Sequence, residues 1–175
     1  MKICIQPVGD VDENVLKFLE EKLKILGDCK ILEKVEIPKE SYNSLRGQYN
    51  STTILRSLPK ICDVVLGVTE VDLYANDLNF VFGEAELFGR RAIISLKRLR
   101  QSFYGLPDDE DLFKLRALKE AIHEIGHVLG LKHCRGKCVM RFSNSIVEVD
   151  MKNWWFCEDC LKKLFKFNRS WRFWR

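Results

Sequence analysis

The hydrophobic positions of the first sixty residues follow two different periods. Over 12–26, apolar side chains recur at steps of three and four residues, which predicts an amphipathic helix. These side chains are Val15, Leu16, Leu19, Leu23 and Leu26. The apolar segments on either side of this helix predict strands at 2–8 and within 30–37. A short second helix is expected to begin at Ser51 or Thr52 and to end before Pro59.

The middle of the chain carries stronger strand signals. Residues 61–73 form a β-branched apolar run, which is typical of a strand buried at the centre of a sheet. Two further strands are predicted at 79–88 and 92–98, with the turn residues Gly89 and Arg90 between them. Strands that first alternate with helices and then form a hairpin-like pair predict an α/β fold, with a twisted mixed sheet and helices packed on it.

The most strongly patterned helix is predicted over 108–129. Pro107 and the acidic residues that follow it are start signals, because they match the conformation and the dipole of a helix N-terminus. Five apolar side chains define its buried face: Leu115, Leu118, Ile122, Ile125 and Leu129. Gly130 is expected to end the helix.

The last turns of this helix read His-Glu-Ile-Gly-His over 123–127. Histidines four residues apart project from one face of a helix, so His123 and His127 can bind the same metal ion. A positive φ at Gly130 would turn the chain back and bring His133 to that ion. Three imidazoles with an open fourth position are typical of catalytic zinc, and Glu124 is predicted to be the general base for a zinc-bound water. The alternative is a helix whose histidines are simply buried in the core.

Four of the seven cysteines form two close pairs near the end of the chain, Cys134-x3-Cys138 and Cys157-x2-Cys160. This spacing suits a tetrahedral structural zinc ion bound by four thiolates. Redox-active thiols and an iron–sulfur cluster are the alternatives. Cys134 directly follows His133, so the second metal ion would also hold the loop that carries the third histidine.

Composition places the 175-residue chain among ordinary globular proteins, because hydrophobic residues make up 46% and charged residues 31%. No apolar stretch is long enough to span a bilayer, and the first residues lack the features of an export signal. The protein is therefore expected to be cytoplasmic. The remaining cysteines, Cys4, Cys29 and Cys62, are expected to be reduced and buried singly in the core.

Basic charge is concentrated at the end of the chain. The net charge is +4, whereas residues 161–175 contain six basic residues, five aromatic residues and no acid. This distribution disfavours nucleic acid as a partner of the whole domain. An amphipathic terminal helix packed on the domain is favoured for the tail, and contact with nucleic acid, an acidic membrane surface or another chain is the alternative. The protein is expected to be a monomer.

The extended pattern HExxHxxGxxH over 123–133 resembles that of the metzincins, a clan of zinc peptidases. The resemblance implies a methionine in a tight turn beneath the zinc ion, and Met140 in the segment CVMRF is the candidate. Continuation of the pattern into CxM and a later CxxC resembles the archaemetzincins over 120–160, and more loosely over the whole chain. This chain has three residues between the first two cysteines and sixteen between CxM and CxxC, whereas some members of the family have one residue more in each place.

Membership of that family implies a zincin-like fold and a metallopeptidase that acts on peptides or unfolded proteins with two zinc ions, one catalytic and one structural. It further implies that strand 79–88 pairs with an extended substrate and that residues 140–149 line a substrate pocket. A single catalytic domain over 1–175 is expected, with a subdomain at 1–130 and a small one at 131–175 that holds the structural zinc.

The competing hypothesis is a zinc-stabilised protein that binds peptides or nucleic acid and has a latent or vestigial HExxH site. The intact Glu124 argues against it, because binding alone does not need a general base. No group that stabilises an oxyanion is evident from the sequence. The four tyrosines are the candidates: Tyr42, Tyr49, Tyr74 and Tyr104.

Overall fold

The structure is a computed structural model that describes residues 1–75 and 77–167. Its strands are β1 (Lys2–Pro7), β2 (Asp28–Ile31), β3 (Tyr42–Asn43), β4 (Gln48–Asn50), β5 (Val64–Thr69), β6 (Leu73–Tyr74), β7 (Gly83–Ala85) and β8 (Arg91–Ser95). Five of them form the central sheet in the order β2-β1-β5-β8-β7. The first four strands of this order are parallel, and β7 pairs antiparallel to β8 at one edge. The predicted α/β fold with a mixed sheet is confirmed.

Helices cover both faces of the central sheet. They are α1 (Glu13–Leu23), α2 (Ser51–Ser57), α3 (Glu110–Val128), α4 (Ile146–Met151) and α5 (Glu158–Phe167). Successive side chains of a strand point to opposite faces. Ile3 and Ile5 therefore join the core formed with α1 and α3, whereas Cys4 joins the core formed with α2.

A second, three-stranded sheet with the order β3-β4-β6 lies next to the α2 face. This sheet is not predictable from the sequence, because its strands have only two or three residues and carry no measurable periodicity. Among the described helices, none has the length and apolar character needed to cross a membrane.

The run predicted as one strand at 61–73 contains β5 and, after a turn, the first residue of β6. Two further predicted strands also differ from the observed ones. The strand predicted within 30–37 is mostly wrong, since β2 begins at Asp28, whose N–H donates to the Met1 carbonyl, and ends at Ile31. The strand predicted at 79–88 is reduced to three residues, because Val81 N–H donates to Leu73 of the small sheet. A tight turn from Glu86 to Gly89 follows β7. Tertiary pairing overrides local β propensity at both positions.

The expectation that Cys4 and Cys62 are reduced is wrong. Their sulfur atoms form a disulfide between β1 and the segment before β5, with the two Cα atoms 6.0 Å apart. Cys29 has no disulfide partner and is half-buried. Of the basic and aromatic tail, residues 161–167 belong to the amphipathic helix α5, with Leu164 buried. The prediction for residues 168–175 lies outside the described part of the chain.

Candidate metal centres

Helix α3 places the predicted catalytic residues in the interior of the protein. The helix begins where the Asp109 carboxylate accepts a hydrogen bond from Leu112 N–H at 2.9 Å. Its buried side packs on β8, β7 and α1, and the buried residues include both His123 and Glu124. The helix thus brings polar groups from the HExxH motif to the end of a largely apolar core.

Backbone carbonyl groups fix the tautomers of the two helical histidines. His123 Nδ1 lies 2.8 Å from the Val139 carbonyl oxygen, and His127 Nδ1 lies 2.7 Å from that of Leu131. A carbonyl oxygen only accepts, so each Nδ1 carries the proton and each Nε2 presents its lone pair. A carbonyl behind the ring is the usual support of a metal-binding histidine.

His133 completes the trio because the chain reverses at Gly130. Gly130 has a φ of +98° and its N–H donates to the His127 carbonyl at 2.9 Å, as the sequence predicted. The His133 ring lies 4.9 Å from the His127 ring and 4.9 Å from that of Phe142, measured between ring centroids. The three histidines thus converge, each offering a nitrogen within 4.8 Å of the others.

The chemistry of this trio fits a bound cation. The Nε2 atoms of His123 and His127 are 3.1 Å apart, with neither able to donate to the other. Two facing lone pairs at this distance repel unless a positive charge lies between or beside them. Burial lowers the pKa of all three imidazoles, which favours the neutral form that binds metal.

Glu124 lies beside this trio in a space that glycine makes available. A Cβ atom on Gly83 of β7 would lie 2.7 Å from Glu124 Cγ and Oε1, so no larger residue fits opposite the carboxyl group. Burial, and then the charge of Glu120, raises the pKa of Glu124 well above its usual value. Gly83 was not identified from the sequence, because neither motif nor spacing connects it to Glu124.

Met140 lies in a tight turn that joins the histidine trio to the cysteines. The turn is closed by Arg141 N–H, which donates to the Cys138 carbonyl at 3.0 Å. Met140 is completely buried, and a methyl group on Gly126 of α3 would overlap its sulfur atom. Its carbonyl accepts from Cys134 N–H at 2.9 Å. The residue before it, Val139, is the one that supports His123.

The four predicted cysteine ligands also converge. Cys134, Cys138, Cys157 and Cys160 place their sulfur atoms within 4.8 Å of one another, and none of these four is in a disulfide. Backbone N–H groups of Met140 and Cys157 point at Cys138 Sγ, at 3.5 and 3.3 Å. Four convergent sulfur atoms, of which Cys138 Sγ accepts two backbone hydrogen bonds, suit thiolates around one soft metal ion.

A cleft of about 760 Å³ opens in front of the histidine trio. Strand β7 and the segment before it form one wall, and Phe142, Ser143, Asn144 and Lys152 lie among the residues of the other. Within the described part of the chain, no tyrosine lines this cleft. The four tyrosines considered as oxyanion groups therefore receive no support. Lys152 and Glu120 line the cleft although no sequence signal singled them out.

Comparison with known proteins finds one peptidase family that matches nearly the whole length of this chain. The model of peptidase family M54 matches residues 6–166. The archaemetzincin of Methanocaldococcus jannaschii is 66% identical over 166 residues, which is 94% of this chain and 93% of that protein. The archaemetzincin of Archaeoglobus fulgidus is 48% identical over 94% of this chain and 99% of its own.

Solved structures agree with the sequence comparisons. The crystal structure of the Archaeoglobus fulgidus archaemetzincin in complex with malonate superposes with a TM-score of 0.86, covering 93% of this chain and 99% of that one. A zinc-dependent peptidase from Methanocorpusculum labreanum, 28% identical, has a TM-score of 0.84 and covers 93% of this chain and 99% of its own. With three convergent histidines and a buried glutamate in the shared fold, this chain belongs to peptidase family M54, the archaemetzincin family of zinc metallopeptidases.

Proposed function

We propose that this metallopeptidase is of the metzincin type, with His123, His127 and His133 as ligands of a catalytic zinc ion and Glu124 as general base. The convergence of the three imidazole nitrogens beside the buried Glu124 carboxyl group supports this assignment most directly. A zinc ion bound there would act as a Lewis acid and lower the pKa of its water ligand. The competing hypothesis of a binding protein with a vestigial site is not favoured, since the matching family is a peptidase family.

Glu124 would hold the proton that leaves the attacking water and deliver it to the departing amine. Its raised pKa suits this role, because a general base works best when its pKa approaches the operating pH. Gly83 leaves the space that this carboxyl group occupies, since a Cβ atom there would lie 2.7 Å from Glu124 Oε1. Met140 would form the apolar floor of the site from the turn beneath α3, without acting as a ligand.

The exposed edge of β7 would position the substrate. On its inner side this segment is bonded to β8, since Ser95 N–H donates to the Phe82 carbonyl and Glu86 N–H donates to the Arg91 carbonyl. Since backbone groups alternate along an antiparallel strand, those of Gly83 and Ala85 point away from β8. They are available to an extended peptide that adds a strand along the cleft. The carboxylate of Glu84 is engaged elsewhere, since it accepts from Thr52 Oγ1 at 2.8 Å.

We also propose that the cysteine cluster binds a second, structural zinc ion. Its four sulfur ligands would leave no open position, as structural zinc sites require. The cluster joins 134–138 to 157–160, which supports the expected small subdomain over 131–175 beside the larger one over 1–130 in a single domain. The expectation of a monomer stays a prediction that size-exclusion chromatography with light scattering can check.

Substitution of Glu124 by Gln tests the catalytic assignment. The variant keeps the shape and the three histidines, so zinc content should not change, while peptide hydrolysis should fall by about 10²–10⁴-fold, as on loss of a general base. Wild type and variant are incubated with one degenerate peptide library, and the products are identified by mass spectrometry. Equal cleavage by both proteins would exclude Glu124 as the base. Chelation should abolish wild-type cleavage, and added zinc should restore it.

A further inference from the structure

A buried ion pair forms part of the cleft wall, outside the proposed metal ligands. Lys152 Nζ lies 2.8 Å from Glu120 Oε1, and the two side chains are only 1% and 4% exposed. Glu120 lies one turn before Glu124 on α3, and Lys152 directly follows α4. Both residues line the cleft that contains the histidine trio.

The pair is held rigidly by the packing of α4 on α3. The Arg116 guanidinium makes two hydrogen bonds to the Asp150 carboxylate, at 2.7 and 2.6 Å. Lys119 Nζ donates to the carbonyl oxygens of Val149 and Asp150, both at 2.9 Å. These bonds fix the chain on either side of the turn into Lys152, so the ammonium group has a defined place in the wall.

The pair is not fully satisfied by the protein. Among the described residues, three buried polar side-chain atoms have no partner in hydrogen-bond geometry: Glu120 Oε1, Lys152 Nζ and Ser143 Oγ. All three belong to residues that line this cleft. Glu120 and Lys152 form an ion pair, and a single carboxylate oxygen at 2.8 Å can account for at most one of the three ammonium protons. Buried polar groups normally have partners, so their concentration here points to a ligand.

Fold stability does not explain the pair. Removing two charges from water is so unfavourable that well-packed apolar residues in place of a buried ion pair are often equally or more stabilising. The neighbouring buried cations Arg116 and Lys119 each make two hydrogen bonds to α4, whereas the Lys152 ammonium group has the Glu120 carboxylate beside it and no hydrogen bond to α4. This difference indicates a structural role for Arg116 and Lys119 and leaves Lys152 for recognition of a ligand.

We propose that Lys152, with Ser143, recognises a carboxylate, so that the peptidase selects substrates with an acidic side chain at the position bound against this wall. This inference rests on the proposed peptidase function and specifies its substrate class. The free N–H donors of Lys152 and the hydroxyl of Ser143 match the acceptor-only chemistry of a carboxylate.

Cleavage specificity provides the first test. Matched peptide sets that differ only in Glu, Gln, Leu or Lys at each residue flanking the scissile bond are compared by kcat/KM. Wild type should prefer Glu to Gln at one position by roughly tenfold or more, the range of a hydrogen bond to a charged group. Lys152→Met should remove this preference, whereas the exposed Lys132→Met, which removes the same charge from the same cleft, should retain it. A wild-type preference for Leu or Lys, or unchanged acid selectivity in Lys152→Met, would overturn the proposal.

A second variant and a binding measurement keep the test independent of folding and of turnover. Lys152→Met alone leaves Glu120 buried without its partner, so the double variant Glu120→Gln with Lys152→Met removes both charges and should lose acid selectivity equally. Fluorescence polarisation of the same peptides is measured on zinc-loaded Glu124→Gln, with and without Lys152→Met. Tighter binding of the Glu peptide that disappears with Lys152 supports recognition even if no peptide is cleaved, in which case only the proposed activity fails. Equal binding of the Glu and Gln peptides would overturn the inference.

Discussion

At the scale of single residues, the site depends on how each polar side chain is supported by its neighbours. The convergence of the three histidines could be predicted because two lie on one helix at a fixed spacing and the third follows a glycine turn. Their supports could not be predicted, since Val139 is distant from His123 in sequence and acts through its carbonyl group. Gly83 could not be predicted as part of the site either, because its importance lies in the space that it leaves for Glu124.

The raised pKa of Glu124 predicts a pH-dependent difference in stability between two metal-free proteins. Burial raises this pKa from the usual 4.5, and the charge of Glu120 adds to the shift. A carboxyl group with a higher pKa in the folded state stabilises the fold fully below its unfolded pKa, and this contribution is lost as the pH rises through the folded pKa. Metal-free Glu124→Gln should therefore become more stable than metal-free wild type as the pH rises above about 4.5.

Urea denaturation of both proteins between about pH 4 and pH 8 measures this difference, and the contributions of the histidines cancel in the comparison. Zinc-loaded proteins should show a smaller difference, because the positive charge of the ion stabilises the Glu124 carboxylate. A stability difference that stays constant with pH would contradict the burial of an ionisable carboxyl group at this position.

At the scale of structural elements, the turn over 138–141 connects the histidine trio with the cysteine cluster. Its first residue contributes a sulfur to the cysteine cluster, its second supports His123, and its third packs against α3. The sequence indicated this connection, because Cys134 adjoins His133 and Met140 lies two residues after Cys138. It did not indicate where β2 and β7 end, since those limits depend on contacts with Met1 and Leu73 that lie far away in the sequence.

Loss of one cysteine ligand should therefore weaken both metal sites. We expect Cys160→Ser to lower the zinc content from two ions per chain to one, and to lower the melting temperature, because metal binding contributes directly to folding. The remaining zinc should be released more readily by a chelator, since the turn that supports His123 is no longer fixed. Cys29→Ser is the matched control, as Cys29 belongs to neither cluster. Elemental analysis and chelator titration measure both effects, and one zinc ion in the wild type would refute the second site.

At the scale of the whole molecule, the disulfide and the proposed zinc sites connect segments that lie far apart in the sequence. The proposed catalytic zinc site would hold the segment after α3 against that helix, and the proposed cysteine site would hold 134–138 against 157–160. On the opposite face of the sheet, the disulfide holds the start of β5 against β1. Separate burial of Cys4 and Cys62 was a reasonable expectation from sequence, because each lies among apolar residues. The parallel register that pairs Ile3 with Val64, and so brings the two cysteines together, is a property of the assembled sheet.

The disulfide should contribute measurably to the stability of the fold without affecting either metal site. It closes a loop with a sequence separation of 58 residues, for which the chain-entropy model gives about 4 kcal/mol of stabilisation relative to the reduced unfolded chain. The double variant Cys4→Ala with Cys62→Ala should then melt roughly 10 °C below the wild type. Its zinc content should remain unchanged, because neither residue lies near the histidine or cysteine ligands.

Alkylation under denaturing conditions before and after reduction, read by mass spectrometry, would show two additional modified thiols only after reduction. Labelling of Cys4 and Cys62 without a reductant would mean that the purified protein holds them as separate thiols, and the double variant should then show little change in melting temperature.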